Sequence, residues 1–384
     1  MQDFTVHNAT VFTGTDVLTS ASVRVANGCI QEVYASGTNT SQGIDLQGQW
    51  LVPGLVDLQL YGGSEVCLNE SPTAETVAHI YQTHLKNGTT SVLPTLYSTS
   101  FEVMLEAVEA VRVLQQTNPN GVLGLHVEGP YINPEKRGVH SLAYVRPPVD
   151  AELDELLEKS RDAIRMLTIA PEIFPPEQLS RLIEQTCSSS IRLSLGHSNA
   201  TYAEATAAFN AGMPLATHLY NAMRSFESRD PGSVGAIFDH PNVRASIVAD
   251  GFHCDWAAIR IATRLLGERL FLISDAMFAN PPRPSHALED LVIQYTDGRY
   301  TNQEGRLAGS SITLLDAVRN CIRHVGVKPA DAFRMASTVP AEIIGQGDTL
   351  GKIQAGFVAN LLILTDDLRV AQVIANGQFQ NRPI

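Results

Sequence analysis

The sequence predicts an α/β protein, a closed (β/α)8 TIM-type barrel with a small β-sandwich domain formed by both termini. Three observations lead there. Between residues 53 and 344, eight short apolar runs alternate with longer amphipathic segments, the texture of repeated βα units around a parallel sheet. The two ends of the chain share a different texture, of short alternating strands broken by turns. The length, 384 residues, exceeds the roughly 250–300 residues at which a single core stops growing, so a satellite beside one large domain is natural. The expected division gives 1–52 and 345–384 to a discontinuous small domain and 53–344 to the barrel.

At the start, Phe4-Thr5-Val6 and Ser22-Val23-Arg24-Val25 read as short strands, with turns at Asn27-Gly28 and Ser36-Gly37. The barrel strands are expected at 55–60, 89–93, 121–128, 164–170, 191–196, 215–218, 245–250 and 270–275. One intervening helix can be read in detail. Ser71 suits its N-cap, Pro72 its first position, and Val77, Ile80, Tyr81, His84 and Leu85 make one apolar stripe that Gly88 ends, with His84 in the core. At the other end, Ala359-Asn360-Leu361-Leu362-Ile363-Leu364 and Val370 to Gly377 return to strand texture, and chain ends often lie close together. An open doubly wound sheet is the competing architecture, but no G-x-G-x-x-G stands at the first strand-to-helix turn.

Composition narrows the function classes. A net charge of -13 disfavours general attraction to nucleic acid or anionic membrane, so an anionic ligand needs a local basic pocket. The start, Met1-Gln2-Asp3-Phe4-Thr5, is not a basic segment followed by an apolar run, and no apolar stretch of about 20 residues is present, which makes a cytoplasmic location the expectation. Five scattered cysteines, odd in number and without a C-x-x-C pair, do not read as a disulfide framework. None of them enters the candidate site.

Polar residues gather where the expected strands end: Gln59, Tyr61, His126, Glu128, His197, His218, His253 and Asp275. In such barrels the loops after the strands converge on one mouth, so residues remote in sequence can share a site. Glu128, His197 and His218 supply one carboxylate and two imidazoles, a three-ligand set for zinc or a similar divalent metal that leaves a position for water. Taken singly, each is as readily structural, because strand-end His and Glu commonly hydrogen-bond or cap. Asp275 is best placed as general base beside such a metal, and a helix N-cap is its bland alternative. His126 shares a strand face with Glu128 but lies deeper, where it packs or supports.

Taken in order, several segments resemble the N-acetylglucosamine-6-phosphate deacetylases of the amidohydrolase superfamily over essentially the whole chain. They are Pro53-Gly54-Leu55-Val56-Asp57-Leu58-Gln59-Leu60, His126-Val127-Glu128-Gly129-Pro130, Gly196-His197-Ser198, Thr217-His218-Leu219-Tyr220-Asn221-Ala222-Met223, Arg229-Asp230-Pro231-Gly232, Ala249-Asp250-Gly251-Phe252-His253, Ser274-Asp275-Ala276 and Leu307-Ala308-Gly309-Ser310-Ser311. The resemblance implies the same barrel and terminal β-domain, with Glu128, His197 and His218 as metal ligands and Asp275 as catalytic acid/base. It also implies that His140 and His253 contact the sugar or the reacting amide, while Val139, Asn221, Ala222, Leu307, Ala308 and Gly309 line the pocket. Arg229 is implied to grip the phosphate, in a homodimer across the subunit interface, where its fork offers bidentate hydrogen bonds.

Two departures matter. Many amidohydrolases carry H-x-H after the first strand, where this chain has Gln59-Leu60-Tyr61. Neither side chain is a normal second-metal ligand, and the resemblance extends to some deacetylases of that family that likewise have Gln at the first position and use a single metal. One divalent metal per chain is therefore expected, zinc foremost, with iron, cobalt or manganese able to take the same ligands. Tyr61 replaces the Asn expected beside that Gln, and Ser225-Phe226-Glu227-Ser228 is an unusual approach to Arg229. The expected reaction is hydrolysis of the N-acetyl amide of a phosphosugar. The galactosamine epimer is the nearest alternative substrate, and a non-catalytic phosphosugar-binding protein is the alternative of another class.

Overall fold

The eight apolar runs become eight parallel strands: β1 (Leu55–Leu60), β2 (Thr89–Tyr97), β3 (Leu125–Glu128), β4 (Ile164–Ile169), β5 (Arg192–Leu195), β6 (Leu215–Ala216), β7 (Arg244–Val248) and β8 (Leu270–Ile273). The computed structural model describes residues 3–35, 43–279, 281–288 and 290–380, so the expected Ser36-Gly37 turn lies outside the described residues. The strands are hydrogen-bonded in chain order from β1 to β8. The sheet closes through a parallel bridge between Leu60 and Ala276, with Asp275 N–H donating to the Gln59 carbonyl at 3.0 Å. Closure explains the near-continuous apolar runs: a strand covered on both faces, such as β8 with every residue buried, has no solvent side to make polar.

Several strands are shorter than the sequence suggests. β3 begins at Leu125 rather than 121, because Val122 makes only an isolated bridge to Val92 and Gly124 (φ 154°) breaks the ladder between them. A buried polar chain crosses the barrel beneath its mouth. His126 Nε2 meets Thr168 Oγ1 at 2.8 Å, Thr168 meets Thr217 Oγ1 at 2.9 Å, and Ser194 meets the same Thr217 oxygen at 2.6 Å. With its Nδ1 at 3.0 Å from the Leu58 carbonyl, His126 is fully engaged in support.

The helix read in detail runs Ala74–Leu85 with the expected stripe buried, but its N-cap is Thr73, not Ser71. The shift has a local cause. Ser71 N–H is turned back onto the Cys67 carbonyl, whereas Thr73 is extended (φ -118°, ψ 160°) and its side chain accepts from Thr76 N–H. Pro72 therefore precedes the helix. His84 is buried, its Nε2 donates to the Gly62 carbonyl at 2.9 Å, and burial pulls its pKa down to about 4.

Both termini build one mixed sheet, joined where Trp50–Pro53 pairs antiparallel with Leu361–Leu364. Val6, Val23, Ile30, Leu51, Leu361 and Ile374 share its core, which makes the flanking sandwich expected from the sequence. Asn27 and Gly28 (φ 54° and 77°) supply the two positive φ values that a tight hairpin between Val17–Ala26 and Cys29–Tyr34 needs.

The sequence reading missed a three-stranded antiparallel sheet inserted after β8, with strands Ser285–Leu288, Leu291–Thr296 and Arg299–Asn302. The signal was present. Asp297-Gly298 (φ 52° and 85°) stands between runs of alternating character, the strongest short-range hairpin cue. This sheet packs Leu291, Ile293 and Tyr300 against Tyr61 and Met277 at the barrel mouth. Among the described residues, no helix is long and apolar enough to cross a membrane.

Candidate active site

Glu128 closes β3, while His197, His218 and Asp275 each stand two residues beyond the last residue of β5, β6 and β8. All three of the latter have left-handed backbone, with φ of 48°, 38° and 54°. The ladder therefore stops abruptly, and each chain turns its side chain into the mouth. No helix starts at Asp275, so the N-cap alternative is lost; the next helix, Leu314–Asn320, is capped by Thr313.

The protonation of the imidazoles decides what the cluster can hold. His197 Nδ1 lies 2.9 Å from the Lys136 carbonyl and His218 Nδ1 lies 3.1 Å from the Asn221 carbonyl, so both Nδ1 atoms must carry the hydrogen. Both Nε2 atoms are then bare in the neutral rings. They face each other at 3.1 Å, and Glu128 Oε1 stands 3.1 Å from His218 Nε2 and 3.4 Å from His197 Nε2. Three lone-pair atoms converging in a buried site repel one another unless a cation sits between them, so the donor set fits a divalent metal. The electrostatics agree. Burial opposes charge on Glu128, yet His140, His197 and His218 hold its carboxyl well below the usual range. Burial likewise opposes charge on His218, but Glu128 outweighs it and raises that ring's affinity for a proton. The site demands positive charge at this point.

Asp275 is buried, which raises its pKa against the pull of His218 and His253. Its Oδ1 lies 3.1 Å from the Tyr61 hydroxyl and its Oδ2 3.8 Å from His253 Nε2. Asp250 orients His253, through 2.7 Å from Oδ2 to Nδ1, and is itself fixed by the backbone N–H groups of Phe252 and His253. On the other side, Ser98 N–H points at His140 Nδ1 at 3.3 Å. That leaves the hydrogen on Nε2, which faces Glu128 Oε2 at 3.6 Å and borders the cavity. Burial, then the neighbouring His197, lowers the His140 pKa to about 4, so the ring is a neutral donor. Tyr61 Oη is 2.7 Å from Glu128 Oε2, and Gln59 Nε2 donates to both Tyr61 Oη (2.8 Å) and Glu128 Oε1 (2.9 Å).

Above these groups opens a cavity of about 380 Å³, within the usual range for a small-molecule site. Of the residues expected to line it, Val139, His140, Asn221, Ala222, His253, Leu307 and Gly309 do. Ala308 does not; it is fully buried in the cluster behind the wall, its N–H bonded to the Tyr300 carbonyl. The single chain leaves Arg229 exposed on the loop after β6 and outside the lining. That loop is tied by Arg224 to Asp230 at 2.7 Å and by Gly232 (φ 58°), where a Cβ would fall 2.6 Å from the Arg224 carbonyl oxygen. Sequence reasoning gave no role to Asp250, to the cavity cations Lys136 and Arg306, or to Tyr97, Met277 and Leu291, which complete the wall. Tyr97 ends β2, four residues past the strand end expected at 93, and the others belong to loops, a short 3-10 turn and the inserted sheet, where no periodicity points inward. All five cysteines are free and none lines the cavity. Cys67 joins Glu70 and His286 in a second possible metal group, although Glu70 is already paired with Arg283 at 3.0 Å.

A barrel mouth holding one carboxylate and two bare imidazole nitrogens beside a buried aspartate is built for metal-assisted amide hydrolysis. The sequence pattern of the amidohydrolase family matches residues 50–379, and the chain belongs to that family. Within it, the chain is similar to the N-acetylglucosamine-6-phosphate deacetylase of Haemophilus influenzae, 35% identical over 380 residues, 97% of this chain and 98% of that one. It is equally similar to the N-acetylgalactosamine-6-phosphate deacetylase of a Shewanella species, 35% identical over 383 residues, 96% and 94% of the two chains. The crystal structure of N-acetylglucosamine-6-phosphate deacetylase from Pasteurella multocida superposes with a TM-score of 0.94 at 34% identity, over 99% of this chain and 100% of that one.

Proposed function

We propose that the protein hydrolyses the N-acetyl amide of N-acetyl-D-glucosamine 6-phosphate, giving D-glucosamine 6-phosphate and acetate. The observation that carries this reading is the convergence of Glu128 Oε1, His197 Nε2 and His218 Nε2 within 3.1–3.4 Å at the floor of the cavity, beside Asp275. These three atoms would hold one divalent metal, zinc foremost, with iron, cobalt or manganese able to replace it. Such a metal makes water acidic near neutral pH and polarises a carbonyl.

The chain's own groups do the rest. Asp275 takes the proton from the attacking water and returns it to the amine as the C–N bond breaks. His140, donating from Nε2, faces the acetyl oxygen as negative charge develops on it. His253, held by Asp250, fixes the sugar beside Asp275. Lys136 and Arg306 line the cavity beside Glu135, with Arg306 also paired to Glu304 at 2.9 Å, and Arg229 of a partner subunit in a homodimer would grip the phosphate. A single metal follows from the pair at the first strand, because the Gln59 amide and the Tyr61 hydroxyl direct hydrogens at Glu128, where a second cation would have to sit. The division at 52/53 and 344/345 and a cytoplasmic location belong to the same reading.

The galactosamine epimer remains a second reading because the Shewanella relative is as similar as the Haemophilus one. Acetate release from both N-acetylhexosamine 6-phosphates, and from unphosphorylated N-acetylglucosamine, decides between them. A higher kcat/KM for the galactosamine ester would replace the substrate, and binding without turnover of either ester would leave only a phosphosugar-binding protein.

A further inference from the structure

The catalytic steps above use Tyr61 only as a neighbour of Glu128, although its hydroxyl also touches Asp275. The residue is 6% exposed. It meets Tyr97 edge-on at 6.1 Å between centroids and packs with Met277 and Leu291. Packing therefore places the ring without help from the hydroxyl. That hydroxyl meets three polar atoms: Glu128 Oε2 at 2.7 Å, Gln59 Nε2 at 2.8 Å and Asp275 Oδ1 at 3.1 Å.

A phenol has one hydrogen to donate and two lone pairs that accept. The Gln59 amide nitrogen can only donate, so it occupies one lone pair. The two carboxylates are left competing for a single hydrogen, and the shorter contact goes to Glu128. The competition ends when Asp275 holds the proton it has taken from water. Asp275 then donates into the free lone pair of Tyr61 while Tyr61 donates to Glu128, and all three contacts are satisfied. Before that transfer the same oxygen offers Asp275 a shared hydrogen. The hydroxyl is a fixed point that suits the carboxyl both when it receives a proton and when it must keep one for the leaving amine.

We propose that Tyr61 is a positioning residue that holds Asp275 in its working orientation by anchoring it, through one hydroxyl, to the ligand carboxylate Glu128. The inference rests on the reading of Asp275 as acid/base. It assigns a purpose to the tyrosine that stands where the family resemblance implies asparagine.

Tyr61→Phe removes the hydroxyl and keeps the ring. In the zinc-loaded enzyme, kcat for the N-acetylhexosamine 6-phosphate should fall roughly 10- to 100-fold, the effect of one charge-assisted hydrogen bond. KM should stay within about twofold because the ring that lines the cavity is kept, and the metal held by Glu128, His197 and His218 should match the wild type because Gln59 still donates to Glu128. The decisive measurement is a double-mutant cycle with Asp275→Asn: once no acid/base is left to position, adding Tyr61→Phe should cost less than about twofold more. Unchanged kcat in the single variant would overturn the proposal. So would an equal loss in the Asp275→Asn background, which places the hydroxyl's effect elsewhere, or a parallel loss of metal, which makes Tyr61 a support for Glu128 alone. Wild-type inactivity on every N-acetylhexosamine phosphate would remove the reaction and this role together; active wild type with unaffected Tyr61→Phe removes the role alone.

Discussion

Replacing Asp275 by Asn tests the chemistry with little disturbance of the architecture. Asp275 is 5% exposed, and its carboxyl lies 3.1 Å from Tyr61 Oη and 3.8 Å from His253 Nε2. An amide of the same shape can donate to Tyr61, but it cannot take a proton from water. General acid–base catalysis contributes about 10²–10⁴-fold, which is about 2.7–5.4 kcal/mol of barrier at 1.36 kcal/mol per decade. The variant should therefore lose at least a hundredfold in kcat. The three lone-pair atoms of the metal set all lie on other residues, so elemental analysis should find wild-type metal content. Stability gives a further check. Burial raises the Asp275 pKa, so its ionised form is disfavoured in the fold, and a neutral amide should leave the melting temperature of the metal-free protein unchanged or higher. Near-normal kcat would refute the assignment, and loss of metal with activity in one preparation would make Asp275 a ligand instead.

Other outcomes follow from the same geometry. The wild type should hold about one metal per chain, and His197→Ala or His218→Ala should abolish stoichiometric binding and activity together, since two protein ligands hold the ion poorly; full metal retention in both variants would disprove the ligand set. Arg229→Ala should raise KM for the phosphorylated sugar tenfold or more, in line with about 1.5–3 kcal/mol for a charged hydrogen bond, and equal loss on unphosphorylated N-acetylglucosamine would exclude a phosphate role. Asp57 is buried on β1 with Oδ2 unpartnered, and burial lifts its pKa from 3.8 to about 7. Its contribution to stability is therefore complete below pH 3.8 and is lost as pH rises through about 7, at roughly 1.4 kcal/mol per pH unit in between. Asp57→Asn should flatten urea stability across that window, and an unchanged slope between pH 4 and 7 would contradict the assignment.

Much of the barrel was legible because burial on both faces leaves a mark on composition: continuous apolar runs such as Leu270-Phe271-Leu272-Ile273 stand out from any amphipathic segment. The strand-end polar residues were legible for the complementary reason, since a Glu or His that interrupts such a run must be satisfied by something in the mouth. Tautomers were not legible, because the carbonyls that fix His197 and His218 belong to Lys136 and Asn221, residues with nothing in their side chains to advertise the role. The Asp250 support of His253 was missed although it is only three residues away, because the pairing needs the Gly251 turn (φ 81°) that folds the loop back. The helix cap falls two residues later than expected because Ser71, intrinsically the better cap, has its N–H turned back onto the Cys67 carbonyl, which leaves the role to Thr73.

The left-handed backbone at His197, His218 and Asp275 has an evolutionary consequence. Such a conformation costs a non-glycine residue about 1–3 kcal/mol, and the chain meets that demand at three site positions. Glycine at any of them relieves the strain and removes the chemistry in one step. Heat tolerance alone would favour glycine at these three positions as much as at left-handed residues outside the site, such as Leu368, so it is the demand for turnover that keeps these three in place.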